Sequence, residues 1–497
     1  MIGILLAQSL YGPDGTAWPQ YRHDYKRAGF YRWPAQCASI TEMWDVVHGS
    51  IDESIIGMYA NGDDAVDIIG AQQSSYSGGV MAVDVIARDT LWENMGDYFP
   101  SPGIASVAAS DTFVFANGYS YFKVIDITNG ATVYQYDKPD GRGPSPAIAD
   151  VDMDGCPEVY TSFGNQAVSV DGCATTYTTH WTYTLPADAY APALGDVDGD
   201  GYMEVVYPLS NGQIYVLDAG TGTLHSSFSA GVPSSIDIWP DYTVALGDVD
   251  GDGSDELVVP TSTSVSVYDY RGSFLGWVQL WTVAGYSNGS PVALANYDGD
   301  SWDDVWVIHD GELYIYKGTD GSLLGSTSGF GVNGNEGTGY PPTLVDLTGD
   351  RFPDVLAPVG DYNVGLVDGL SLTLLGTYGT TPYSITSEVI VVKLSGSLAF
   401  AAGDFSCHIT VWGTCPLAYD DPTNVSEVRN TGSALRIERD AVLVSSEVGD
   451  VLKVYDRTGR AVLRTYIKGS RKVDLSHLPE GVYIVRFAGK SVRFVKR

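Results

Sequence analysis

An acidic loop that returns every 46 to 52 residues constrains this chain more than any other feature. Five copies align directly: SPAIADVDMDGCPEVY (145–160), APALGDVDGDGYMEVV (191–206), VALGDVDGDGSDELVV (244–259), SPVALANYDGDSWDDVWV (290–307) and PPTLVDLTGDRFPDVL (341–356). Their first loop positions are Asp150, Asp196, Asp248, Asn296 and Asp346. A period of this size marks one supersecondary unit per repeat. Fainter copies extend the array at 58–69, 101–118 and 387–404, giving eight units between about Cys37 and Thr414.

Each unit has the same internal order. An apolar strand leads into the acidic loop, a β-rich strand follows (EVVYPLS), then an alternating strand (IYVLDAGTG) whose glycines signal a hairpin, then a last strand (TLHSSF). Four short antiparallel strands per unit describe a propeller blade. The fold class expected is therefore all-β: an eight-bladed β-propeller, with seven blades as the alternative. TEMWDVV (41–47) reads as the outer strand of the last blade beside CHITVWG (407–413), closing the ring and hiding an open edge. That closure places Cys37 near Cys415, with Cys407–Cys415 as the rival disulfide; Cys156 and Cys173 form a second candidate pair, between neighbouring strands of one blade.

The strong loops read D-x-D-x-D-G-x-x-(D/E). Acids at positions 1, 3, 5 and 9 can converge on one cation, and glycine at position 6 permits the left-handed turn. Oxygen-only ligation suits Ca²⁺ rather than Zn²⁺ or Cu²⁺. The candidate ligand sets are Asp150/Asp152/Asp154/Glu158, Asp196/Asp198/Asp200/Glu204, Asp248/Asp250/Asp252/Glu256, Asn296/Asp298/Asp300/Asp304 and Asp346/Thr348/Asp350/Asp354, four to five Ca²⁺ sites in all. The fourth has Ser301 in place of glycine; the fifth has one carboxylate fewer and Arg351 at the turn. Asn61/Asp63/Asp67 is a degraded copy expected to bind weakly or not at all. The acid at position 9 rather than 12, with a strand after it, excludes an EF-hand.

Charge divides the chain. Residues 421–497 carry 15 Lys+Arg and 9 Asp+Glu, against 27 and 61 for the whole, so the first 420 hold 12 basic and 52 acidic residues. Such acidity argues against nucleic acid as a partner. No run of 18 apolar residues exists, so no transmembrane segment is expected. MIGILLAQSL reads as the remnant of a secretory signal. The expected layout is a leader at 1–17, the propeller at 18–416, a linker at 417–432 and a small Ig-like β-sandwich at 433–497.

The loops with their SP-x-x-x-D lead-ins resemble FG-GAP/VCBS repeats, the calcium-loop propellers similar to the integrin α-subunit head. WPQYRHDYKRAGFY (18–31) resembles the lead-in of bacterial propellers of this type. The C-terminal segment resembles the type A sorting domain of the type IX secretion system. The matching residues are Val454–Tyr455–Asp456 with Gly459–Arg460, Asp474–Leu475–Ser476 with Leu478, Gly481–Val482–Tyr483, and the terminal Lys496–Arg497. The usual Tyr-Pro-Asn-Pro lead-in is replaced by Pro422–Thr423–Asn424. This resemblance implies export to the outer cell surface or beyond, with the type IX machinery engaging residues 433–497.

No catalytic set stands out. The seven histidines are scattered, and neither HExxH nor Gly-x-Ser-x-Gly occurs. The reading is a secreted or surface-displayed monomer, calcium-stabilised, that binds a glycan or an extracellular protein. The alternative is a lyase-like polysaccharide enzyme, although 12 basic residues leave few cations for an acidic sugar. A quinone-cofactor dehydrogenase is third, disfavoured because calcium loops stand where that family has tryptophan docking motifs.

Overall fold

The computed structural model describes residues 30–31, 40–47 and 50–416, with breaks mainly in the connections between blades, and the five strands within 433–496 together with Leu475. Two compact units result, one within 7–419 and the other within 420–497.

The first unit is an eight-bladed β-propeller. Blades are numbered 1–8 in chain order, with strands A–D from the inner to the outer edge. Blade 4 is typical: Ala193–Gly195, Glu204–Pro208, Gln213–Asp218 and Leu224–Ser229, paired antiparallel in that order. Blades 1, 2, 3, 5, 6 and 7 span 50–97, 106–137, 147–184, 245–284, 293–328 and 343–379. Inner strands are short and fully buried, as in Ala147–Ala149, Ala245–Gly247 and Ala293–Ala295, because eight of them converge and only small residues fit. Outer strands alternate between exposed and half-buried residues, as Leu224–Ser229 and Leu323–Ser328 do, since one face meets water. A register shift recurs in the C–D hairpin of each of blades 1–7, for example between Val216 and Leu217.

Closure occurs as the sequence predicts. Thr41–Val47 pairs antiparallel with His408–Pro416, from Thr41 opposite Gly413 to Val47 opposite His408, and becomes strand D of blade 8. Apolar clusters fill the junctions between blades. Val206, Ile214 and Val216 of blade 4 meet Tyr242, Leu246 and Leu257 of blade 5, and one cluster runs from blade 7 through blade 8 into blade 1. The ring therefore has no unpaired seam.

Two features go beyond the sequence reading. Phe30–Tyr31 pairs in parallel with Thr343–Val345, adding a fifth strand on the inner edge of blade 7. Tryptophan docking, set aside in the sequence reading, is present at alternate junctions. The indole N–H groups of Trp92, Trp181 and Trp281 on outer strands donate to the carbonyls of Ile127, Ala219 and Gly318 in the next blade. Gly130, Gly222 and Gly321 lie against those rings, where a Cβ would come within 2.4–2.7 Å. Nothing in the strand pattern distinguishes a docking Trp from any other outer-strand aromatic.

Cys156 and Cys173 are disulfide-bonded, with Cα atoms 5.6 Å apart. Neither lies on a strand: the bond ties the acidic loop of blade 3 to the C–D turn of the same blade. Cys37 and Cys407 lie outside the described residues, as does the proposed leader.

The second unit is all-β. Ser433–Glu438, Ala441–Tyr455, Ala461–Asp474, Gly481–Phe487 and Lys490–Lys496 are linked into one sheet. Ala441–Tyr455 pairs along its length with Ala461–Asp474, and a register shift between Ser446 and Asp450 divides its other edge between the first and fourth strands. The pairing thus links all five strands through Ala441–Tyr455 into one hydrogen-bonded sheet.

Candidate metal centres

In an antiparallel blade the A–B loops and C–D turns fall on one face, so every acidic loop emerges on that face beside a C–D turn. The closing acid is the most buried member. Glu158, Glu204, Glu256, Asp304 and Asp354 begin their B strands, and all are buried. One carboxylate oxygen of each caps the start of its own loop. Glu204 accepts from the Val197 N–H (3.1 Å), and Glu256 from Val249 (2.9 Å) and Asp250 (3.2 Å). Glu158 accepts from Val151, Asp304 from Tyr297 and Asp354 from Leu347 in the same way. Position 1 ties the far end of the turn: Asp150 accepts from Gly155 and Asp196 from Gly201.

The acids converge in three blades. Asp150/Asp152/Glu158, Asp196/Asp198/Glu204 and Asp248/Asp250/Asp252 each present oxygens within 4.8 Å of one another. A further group, Asp252/Glu256/Asp269, shares Asp252 with the blade 5 loop. Burial, reinforced by the neighbouring aspartates, pushes Glu158 up to about 7, Glu204 to about 8 and Glu256 to about 9. Two oxygens in these clusters, Asp150 Oδ1 and Glu256 Oε1, are buried with no hydrogen-bond partner. Buried oxygens are rarely left unpaired, because each costs about 1–3 kcal/mol. Oxygen-only donors, excess negative charge and orphaned acceptors together fit a hard divalent cation.

The remaining loops satisfy most of their acids internally, although Asp67 Oδ1 in blade 1 is also buried without a hydrogen-bond partner. In blade 6 the Lys317 ammonium bonds both Asp298 and Asp300, the latter at 2.9 Å. Both Asp304 oxygens accept backbone N–H groups, from Tyr297, Asp298 and Gly318. Asn296 turns its amide oxygen to the Gly299 N–H. In blade 7 Asp354 accepts from Leu347, Thr348 and Gly369, Asp346 from Gly349 and Asp350 from Phe352. In blade 1 the Asn61 amide donates to both Asp63 and Asp84. Blades 4 and 5 carry milder versions of the blade 6 device: His225 Nε2 lies 3.3 Å from Asp198, and Arg271 Nη2 3.8 Å from Asp250. Lys317 was missed because it is distant in sequence from its loop. The signal was there: strand C ends on Asp84, Asp126, Asp171, Asp218 and Asp368 in blades 1–4 and 7 and carries Asp269 one residue before its end in blade 5, and only blade 6 puts Lys at that register.

Successive loops also touch. Asp255 N–H donates to the Asp196 carbonyl while its carboxylate accepts from the Asp196 N–H, and Asp303 N–H donates to the Asp248 carbonyl. Trp302 covers Gly251, whose Cβ, if it had one, would lie 2.4 Å from the indole.

Comparison with known families matches residues 196–259 to the FG-GAP-like repeat and 433–497 to the secretion system C-terminal sorting domain. The chain is a β-propeller with FG-GAP-like repeats and a type IX sorting domain. The sorting domain directs export by type IX secretion to the cell surface or the extracellular space. Among the described residues no helix is long and apolar enough to cross a membrane.

Solved structures similar to this FG-GAP-like propeller include BamB from Moraxella catarrhalis, 14% identical over 76% of this chain and 98% of its own, with a TM-score of 0.48. The quinohemoprotein alcohol dehydrogenase from Comamonas testosteroni is 11% identical over 88% and 86%, with a TM-score of 0.55. A computationally designed protein, Ika8, is 15% identical over 74% and 98%, with a TM-score of 0.46. At these identities the dehydrogenase likeness speaks to the propeller fold alone.

Proposed function

We propose that this is an exported propeller stabilised by calcium on blades 3, 4 and 5, and that it binds an extracellular glycan or protein. The observation that carries the metal reading is the cluster of three converging carboxylates on each of blades 3, 4 and 5, with a buried, unpartnered oxygen at the sites of blades 3 and 5. Asp150, Asp152, Asp154 and Glu158 would hold one ion, Asp196, Asp198, Asp200 and Glu204 a second, and Asp248, Asp250, Asp252 and Glu256 a third. The ion would cancel repulsion among the acids and fix each A–B loop. The sets beginning at Asn296 and Asp346 are proposed as metal-free at ordinary calcium concentrations, since Lys317 and backbone N–H groups already serve them.

Binding is favoured over acidic-polysaccharide cleavage by where the cations are. Among the described propeller residues, Arg271 and Lys317 face loop acids, while Lys123, Lys138 and Lys393 are buried within blades. Only Arg88 is left exposed on a turn. No cationic cleft forms among them that would neutralise an acidic sugar.

Bound calcium counted on the purified protein should be near three per chain, and removing it should lower the melting midpoint. A calcium-free preparation with an unchanged midpoint defeats the metal reading. Glycan-array binding alongside product assays on acidic polysaccharides separates binder from lyase: release of unsaturated products would overturn the binding assignment.

A further inference from the structure

In five blades the aspartate ending strand C is absorbed by its own turn. Asp84 accepts from the Ile86 and Ala87 N–H groups, Asp126 from Thr128, Asp171 from Cys173 and Ala174, Asp218 from Thr221, and Asp368 from Ser371. These are Asx-type caps of the C–D hairpin. Blade 5 departs from them. Its C–D connection is longer and contains a single helical turn, Gly272–Leu275, bracketed by a hydrogen bond from the Arg271 N–H to the Gly276 carbonyl. The hairpin is closed without help from the aspartate side chain.

Asp269 is thereby released. Its only hydrogen-bond donor among the described residues is the Arg271 side chain. It is almost wholly buried and groups with Asp252 and Glu256 within 4.8 Å. Glu256 supplies the second, independent observation: it is fully buried, one oxygen is used by Val249 and Asp250, and Oε1 is unpartnered.

We propose that Asp269 is an additional ligand of the blade 5 ion, contributed from outside the repeated loop, which makes blade 5 the tightest metal site in the chain. The inference rests on the metal reading above and adds one residue that the loop motif does not contain. The extra charged oxygen raises affinity, because calcium sites are tuned by the number of charged ligands. Arg271, which pairs with Asp269 and approaches Asp250, is the cation that the metal must outcompete.

Terbium is the probe, titrated into the calcium-free full-length protein with excitation of tryptophan, since Trp302 lies on the blade 5 loop at Gly251. Asp250→Asn should remove the sensitised emission, which fixes the signal on blade 5. Asp269→Asn should weaken that binding tenfold or more, while Asp218→Asn, the same position in blade 4, should leave it unchanged. Arg271→Gln keeps all acids and should tighten binding. Unchanged affinity in Asp269→Asn, or emission that survives Asp250→Asn, overturns the inference while leaving metal binding elsewhere intact. Absence of terbium and calcium binding in the unaltered protein instead defeats the underlying metal reading.

Discussion

The loop glutamates give the calcium-free protein a pH dependence that calcium should reverse. Glu158, Glu204 and Glu256 hold their protons to about 7, 8 and 9 in the folded chain, against an ordinary value of 4.5. Between those limits the folded state carries more protons than the unfolded state, so stability is highest at the acidic end and falls as pH rises. One such group contributes about 1.4 kcal/mol per pH unit, so three together give on the order of 3–4 kcal/mol per unit between pH 5.5 and 7. For a propeller of this size that is roughly 3–5 °C in midpoint per pH unit. Asp67 and Asp354, raised by burial to about 7, act in the same direction. Asp126, Asp252 and Asp320 are held low by hydrogen bonds from Thr128, Ser254 and Ser322, and titrate below this range. Calcium needs the glutamates ionised, so saturating calcium should make stability rise with pH as protons cease to compete. The assay is thermal melting by circular dichroism from pH 5.5 to 8.5, in resin-stripped buffer and again with millimolar calcium. A stripped protein whose midpoint holds or climbs between pH 5.5 and 7.5 refutes the assignment of buried, mutually repelling loop acids.

Lys317→Gln should add a divalent-cation site on blade 6, read as one more bound calcium per chain at saturation, because Asp298 and Asp300 lose their ammonium; an unchanged stoichiometry refutes the idea that Lys317 stands where an ion would. Gly222→Ala should lower the midpoint by about 2 °C or more, since it places a Cβ 2.4 Å from the Trp181 ring at a positive φ. Gly212→Ala, also at positive φ but 3.7 Å from its nearest neighbour, should cost less; equal losses would show that docking of Trp181 contributes nothing.

The propeller was legible because its evidence is periodic: each blade restates the same strand lengths, turn glycines and loop acids, so errors in one copy are corrected by the others. Closure by Thr41–Val47 was legible for a related reason, because the three strands that end the propeller need a fourth and the segment ahead of blade 1 supplies it. Whatever breaks the period was not legible. Phe30–Tyr31 is too short to stand out as a strand, and its parallel partner lies more than 300 residues away. Lys317 and Asp269 share one register position in adjacent blades, yet their roles follow from turn geometry that composition does not encode. Cys156 could be paired with Cys173 by proximity, but only coordinates place that bond on a loop that also carries candidate ligands.

The loop contacts give the three proposed ions a consequence beyond their own blades. Asp196 is a candidate ligand of blade 4, and its backbone is clasped on both sides of the peptide by Asp255, the neighbour of Glu256 in blade 5. Asp248 of blade 5 is held in turn by the N–H of Asp303, next to Asp304 in blade 6. An ion that fixes Asp196 therefore also fixes the residue beside the closing acid of the next loop. Ordering one loop reduces the conformational entropy that the next must lose when it binds, which makes the sites cooperative without any change of fold. Among the described residues the clasps run as far as blade 6, where Lys317 bonds the loop acids Asp298 and Asp300 without any metal. Blades 7, 8 and 1 share one continuous apolar cluster and carry no proposed ion, whereas the arc from blade 4 to blade 6 adds these linked acidic loops to its own apolar junctions. Calcium removal should therefore loosen the ring on one side only, and hydrogen exchange should rise in blades 3, 4 and 5 while blades 7, 8 and 1 stay protected; a uniform rise around the ring would show that the loops are not coupled in this directional way.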